Sequence, residues 1–177
     1  MAKIRIASLL YDSIVDGPGL RNVLFVQGCS HRCPGCHNPS SWDPLAAPEI
    51  DTSEVIELLL KHPNRKLTLS GGEPFEQAES LVEIVKVLKQ HNFDIWSYSG
   101  YTLEHLQKGS PAQQELLSYL DVLVDGPFIL AKRNLNTLYR GSTNQRLIDM
   151  KETRKQNQVV FYETKKPIEP ETIKLYI

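Results

Sequence analysis

Apolar and polar positions along this chain form short apolar blocks that alternate with stripes of helical spacing. Residues 21–27 (RNVLFVQ) are apolar and rich in β-formers and run into Gly28-Cys29, which predicts a buried strand ending at a cysteine loop. The turn signal Asp16-Gly17-Pro18-Gly19 stands before it. Pro39, Pro44 and Pro48 make 37–50 a loop. Asp51-Thr52-Ser53-Glu54 has the form of a capping box and opens a helix to about Lys61. Leu67 to Ser70 predicts a strand that leads into Gly71-Gly72-Glu73-Pro74. Ala78, Leu81, Val82, Ile84, Val85 and Leu88 recur at helical spacing and predict a helix over 77–91. A strand over 93–98, a turn at Ser99-Gly100-Tyr101-Thr102 into a helical stretch, a helix over 111–120 and a strand over 121–124 follow. That strand ends at Asp125-Gly126-Pro127, and the pattern then weakens. Residues 158–162 read as a last strand and 163–177 as a mobile tail.

Strands alternating with helices imply right-handed crossovers and an α/β fold with a mainly parallel sheet. A complete eight-unit barrel takes ~250 residues. The 177 residues here suit an open, partial (β/α) barrel in a single domain, 1–177, with its core at about 10–150. Sites in such sheets lie off the carboxyl ends of the strands. The cysteine loop, Gly71-Gly72-Glu73, Ser99-Gly100-Tyr101 and Asp125-Gly126-Pro127 all follow strand ends, so they converge on one rim.

Composition narrows the classes. Forty-one per cent hydrophobic and 23% charged residues describe a globular chain rather than a disordered one. Twenty cations against 21 anions give a net charge of −1, without the basic excess of a nucleic-acid binder. No apolar run approaches the ~18–20 residues that span a bilayer. The start, MAKIRIASLLYDS, lacks a signal-peptide cleavage pattern, so the expected location is cytoplasmic.

All three cysteines, Cys29, Cys33 and Cys36, fall within eight residues. An odd, clustered set is no disulfide framework and reads as metal or redox chemistry. Thiolates suit iron–sulfur clusters, zinc or copper(I). Three of them can hold three irons of a [4Fe–4S] cluster and leave the fourth iron open. An electron-transfer ferredoxin requires a fourth cysteine, which is missing. A structural zinc would need His31 or His37 as its fourth ligand, and inert thiols are the remaining reading. In Gly71-Gly72-Glu73, two glycines let a ligand approach the backbone and Glu73 can accept hydrogen bonds from a ligand ammonium. The plainer reading is a strand-to-helix turn with Glu73 at a helix N-terminus.

Four segments carry a family resemblance: Val15-Asp-Gly-Pro-Gly-Leu-Arg21, Leu24-Phe-Val-Gln-Gly-Cys29, Cys33-Pro-Gly-Cys36-His-Asn38 and Leu69-Ser-Gly-Gly-Glu-Pro74. Together they resemble the radical S-adenosylmethionine (SAM) activating enzymes. Val122-Leu-Val-Asp-Gly-Pro-Phe128 and Arg140-Gly-Ser-Thr-Asn-Gln-Arg146 are similar to one branch, the activating proteins of the anaerobic ribonucleotide reductase. The resemblance covers about residues 10–150. Much of the superfamily has an aromatic residue before the third cysteine, where this chain has Gly35; the branch also has Pro-Gly there. What the resemblance implies is as follows. Cys29, Cys33 and Cys36 ligate the cluster, Gly71, Gly72 and Glu73 position the methionine moiety of SAM, and the main chain of Gly35, Cys36 and His37 meets the adenine. The product is a glycyl radical on the large subunit of the anaerobic ribonucleoside-triphosphate reductase, with reduced flavodoxin as electron donor. No protein side chain is singled out as a catalytic acid or base.

Asp125, Arg140 and Arg146 read equally as site or as structural residues, and Trp42 and Trp96 as packing residues. The rival readings are an activase of another glycyl-radical enzyme, such as pyruvate formate-lyase, and a small zinc-binding interaction module. Metal content separates cluster from zinc: anaerobic reconstitution should give about four irons per chain, and replacing any one cysteine by Ala should abolish the cluster. Stoichiometric zinc without iron uptake would overturn this reading.

Overall fold

A computed structural model describes residues 2–164. The tail expected over 163–177 lies, from residue 165 on, outside the described residues. Strands are β1 (Lys3–Ser13), β2 (Arg21–Val26), β3 (Glu49–Asp51), β4 (Lys66–Gly71), β5 (Asp94–Tyr98), β6 (Val122–Asp125) and β7 (Arg146–Asp149). Helices are α1 (Thr52–Lys61), α2 (Ala78–Gln90), α3 (Leu103–Leu106), α4 (Pro111–Tyr119) and α5 (Met150–Gln156). No helix among the described residues is long and apolar enough to cross a membrane.

The strands form one seven-stranded sheet in the order β3-β1-β2-β4-β5-β6-β7. Its centre is the expected parallel array: β2, β4, β5 and β6 pair in parallel, with α1, α2 and α3–α4 in the crossovers. Both flanks are antiparallel, β3 and β2 on β1 at one side and β7 on β6 at the other. These flanks escape the sequence pattern. Of the 11 residues of β1 only Ile4 and Ser13 are buried, and its pairing with β2 is interrupted twice by register shifts, so no clean alternation marks it. The three residues of β3 lie within the segment expected to be loop. The expected last strand is reduced to a single bridge, Phe161 to Ile148 of β7.

The sheet is layered on one side. Leu24, Val26, Leu67, Leu69, Ile95 and Leu123 point to one face and form the main core with Val55 and Leu59 of α1, α2's apolar stripe and Leu116 and Leu117 of α4. The stripe on α2 is the one read from sequence. The capping box at α1 does not form: Asp51 pairs with Lys3 at 3.2 Å and makes no side-chain cap. A complete box forms instead at α4, between Ser110 and Gln113.

The opposite face carries a smaller cluster of Trp96, Val122, Val124 and Leu147, on which Tyr98, Tyr139 and Tyr162 pack. Arg21 lies fully buried here. Its guanidinium donates to Thr68 Oγ1 (2.8 Å), Asp94 Oδ1 (2.6 Å) and the Leu67 carbonyl (2.7 Å), and it sits 5.0 Å from the Trp96 ring centroid. A buried charge survives only when so satisfied. Arg21 thereby joins β2, β4 and β5 below the site. Arg21→Ala should cost about 3 kcal/mol of stability, the low end for a buried pair because Asp94 keeps contact with water. Denaturant melts of the apoprotein, with circular dichroism to show a folded baseline, read this directly.

Candidate active site

The expected rim exists. Beyond the carboxyl ends of β2, β4, β5 and β6, on the face without helices, lies a cavity of about 660 Å³. Its walls include Cys29, Cys33, Cys36 and His37 from the loop after β2 and Gly71, Gly72 and Glu73 from the end of β4. Phe25, Ser70 and Tyr98 extend the strands into its floor. Gly35 is the one expected site residue that is not in the wall. It has φ +75°, and a Cβ there would lie 2.8 Å from Leu130 Cδ1, so its missing side chain makes room for Leu130.

The cysteine loop has no regular structure and is held by its neighbours. Gly28 N donates to the Ser41 carbonyl (2.7 Å), Cys29 N to Trp42 (3.1 Å), and the Gln27 side chain to the carbonyls of Ser40 and Asp43 (2.9 and 2.7 Å). Cys36 N closes a turn on the Cys33 carbonyl (3.0 Å), and Asn38 N donates to Cys36 Sγ at 3.3 Å. All three cysteines are free and partly buried. Burial pushes the Cys29 thiol up, an effect opposed by the amides of His31 and Arg32. Among the described residues, no three His, Cys, Asp or Glu side chains are grouped as the ligands of a single metal ion. The three cysteines all line the one cavity. Of the two histidines considered for zinc, His31 places Nε2 on Glu73, whereas His37 packs its ring near Phe128 at 5.4 Å. Three thiolates are a donor set that fits an iron–sulfur cluster.

The two glycines line the cavity and also meet a packing constraint that their sequence does not announce. A Cβ on Gly71 would lie 2.7 Å from the Phe25 and Val26 backbone, and one on Gly72 would lie 2.1 Å from the Gly28 carbonyl oxygen. Glycine is required because the end of β4 is pressed by β2 at Gly71 and by Gly28, at the start of the cysteine loop, at Gly72. Gly72 N donates to the Val26 carbonyl and Glu73 N to the Gly28 carbonyl, both at 2.8 Å.

Glu73 is buried and accepts from four sides. Oε1 takes Phe75 N (3.0 Å) and Ser99 Oγ (2.9 Å); Oε2 takes Gly100 N (2.7 Å) and lies 3.0 Å from His31 Nε2. The hydrogen bond to Glu73 raises the His31 pKa, against the opposing effect of burial. A carboxylate offers about four lone-pair positions, and here each has a protein donor. Glu73 does cap a short 3-10 turn at Pro74–Gln77, so the plainer reading of it also holds. The His31–Glu73–Ser99–Gly100 network had no signal in the sequence, because its members lie up to 69 positions apart.

Of the three ambiguous charges, Asp125 and Arg146 resolve into structure, whereas Arg140 lines the cavity. Asp125 is buried, accepts from Leu103 N at 2.7 Å and pairs with Arg146 Nε at 2.8 Å. Arg146 also pairs with Glu104, which it holds down to about 2. Trp96 packs against Tyr139 and Tyr162, whereas Trp42 lines the cavity.

Fold and site thus define an α/β protein with a three-cysteine cluster centre, and the family model described as "4Fe-4S single cluster domain" matches residues 15–148. The chain is 39% identical over 142 residues to the anaerobic ribonucleoside-triphosphate reductase-activating protein of Vibrio cholerae, covering 75% of this chain and 89% of that one. It is 40% identical over 144 residues to the protein of that name from Enterobacteria phage T4 (75% and 86%) and 34% identical over 143 residues to that of Escherichia coli K12 (75% and 90%). The chain belongs to the family of anaerobic ribonucleoside-triphosphate reductase-activating proteins.

Because a Cβ on Gly72 meets the backbone just before Cys29, Gly72→Ala should lower the thermal midpoint and the iron bound per chain together. A variant with full iron and native stability that fails only to bind SAM would show that Gly72 serves the ligand and not the loop packing.

Proposed function

We propose that this chain activates the anaerobic ribonucleoside-triphosphate reductase by reductive cleavage of SAM at a [4Fe–4S] cluster. The observation that carries the reading is that three free cysteines line one cavity at the carboxyl ends of parallel strands, in a chain of this family. When bound, the reduced cluster and SAM supply one-electron cleavage of the sulfonium to methionine and a 5′-deoxyadenosyl radical, which takes a hydrogen atom from a glycine of the large subunit.

The chain's own residues bind, orient and enclose. Cys29, Cys33 and Cys36 would hold the cluster, three thiolates for four irons, so that one iron would stay open to SAM. Gly71, Gly72 and Glu73 form the wall for the methionine moiety. A ligand ammonium that reaches Glu73 replaces one of its four present donors. Gly35, Cys36 and His37 serve the adenine, with the His37 ring steadied by Phe128. The helix-free face of the sheet is the inside of an open partial barrel in a single domain, open enough for a polypeptide to enter. Reduced flavodoxin is the electron donor, and the cytoplasm is the compartment. The names of the relatives favour this over an activase of pyruvate formate-lyase, and the match to a 4Fe-4S single cluster domain disfavours a zinc module.

Anaerobic incubation with the reductase large subunit, SAM and a strong reductant should yield a glycyl radical by electron paramagnetic resonance. Deuterium placed on the partner's glycine should appear in 5′-deoxyadenosine. SAM cleavage that depends on a small-molecule substrate, with no partner radical, would sink the assignment while leaving the cluster chemistry.

A further inference from the structure

The connection between β6 and β7 lends Phe128, Tyr139 and Arg140 to the cavity wall, while its outer edge stays exposed. From Gly126 to Ile148 it carries four cations, Lys132, Arg133, Arg140 and Arg146, and no Asp or Glu. Arg146 is consumed by Asp125 and Glu104, whereas Lys132, Arg133 and Arg140 have no ion-pair partner among the described residues. The connection is nonetheless a built structure. Arg133 bridges Ser142, Thr143 N donates to the Lys132 carbonyl (2.9 Å), and the Gln145 amide ties Gly141 N to the Gly126 carbonyl. Tyr139 anchors it on Trp96.

Its apolar side chains point the wrong way for a core. Leu135 is 83% exposed and Leu130 50%, although Leu135 also borders the cavity that contains the cysteines. The β1–β2 connection, at the other side of the sheet, brings Ile14 (73% exposed) and Val15 (69%) to the same cavity. Two apolar edges thus flank one mouth, and the β6–β7 edge is cationic. Apolar surface left at a cavity mouth marks an interaction site, and unpaired cations beside it select a partner of opposite charge.

We infer that the β6–β7 connection is the docking edge for the glycine-bearing segment of the reductase, and that this segment carries apolar side chains flanked by carboxylates. The inference rests on the function proposed above, since a hydrogen taken from a backbone glycine requires a polypeptide to pass this mouth. Leu135 and Ile14 grip its apolar side chains from opposite sides. Lys132 and Arg133, which are exposed and not part of the cavity wall, meet its acids.

The test uses reconstituted full-length protein and the intact large subunit. Lys132→Glu combined with Arg133→Glu should weaken their association about tenfold and flatten its salt dependence. Iron content and partner-independent SAM cleavage with dithionite should stay at wild-type values. Leu135→Ala should weaken association without changing the salt dependence. Unchanged affinity and radical yield in the charge-reversed variant would overturn the docking edge and leave the activase function standing. Absence of a partner radical with the wild-type protein would instead overturn the function itself. Wild-type self-association that the charge reversal abolishes would assign the edge to a second copy of the chain, and so also overturn the proposal.

Discussion

The Glu73 carboxylate is the joint on which the site depends. It is buried, and a buried charge costs several kcal/mol unless its lone pairs are met. They are met by His31 from the cysteine loop, Phe75 from the turn after β4, and Ser99 and Gly100 from the turn after β5. Three separate pieces of chain are thereby fixed to one side chain. The cysteine loop needs this support because it contains no helix or strand of its own; beyond Glu73 it is held by main-chain contacts to 38–43 and by Gly28 packed against Gly72. The two glycines before Glu73 belong to the same device. They let the backbones of β2 and β4 approach until Glu73 N reaches the Gly28 carbonyl, which sets the carboxylate beneath the loop.

The sheet explains why this joint lies beside a cavity instead of inside a core. Helices cover only one face, and their apolar stripes use up the side chains of β2, β4, β5 and β6 that point that way. The alternate residues on those strands point to a face that no helix covers. There Arg21 stacks on Trp96, while Phe25, Ser70 and Tyr98 line the cavity toward the loops. The antiparallel flanks extend this face sideways: β1 adds the Ile14–Val15 turn, and β7 brings back the β6–β7 connection. The clamp of Arg146 on Asp125 and Glu104 secures that return against α3. Connections at the sheet's two sides and the cysteine loop therefore line one cavity.

Sequence alone determined the parallel core and the place of the site. The α2 stripe, the strands of the centre and the rim of four loops follow from periodicity and turn chemistry, which are local properties of the chain. The cysteine triplet was equally legible, since its spacing is a property of eight consecutive residues. Tertiary structure decided the rest. The 11-residue β1 is mostly exposed and interrupted by register shifts, so nothing periodic announced it. Strand β7 has only Leu147 and Ile148 buried, too short a run to be read. Asp125, equally a ligand contact or a structural residue by sequence, became the partner of Arg146 because antiparallel pairing sets those two residues side by side. Gly72 and Glu73, which read as parts of a ligand cradle, turned out also to hold the cysteine loop in place. Their partners, Gly28, His31 and Ser99, lie 26 to 44 positions away. A spacing rule reports on neighbours along the chain, whereas the desolvation of a carboxylate and the clash of a Cβ are settled by whichever atoms the fold brings alongside.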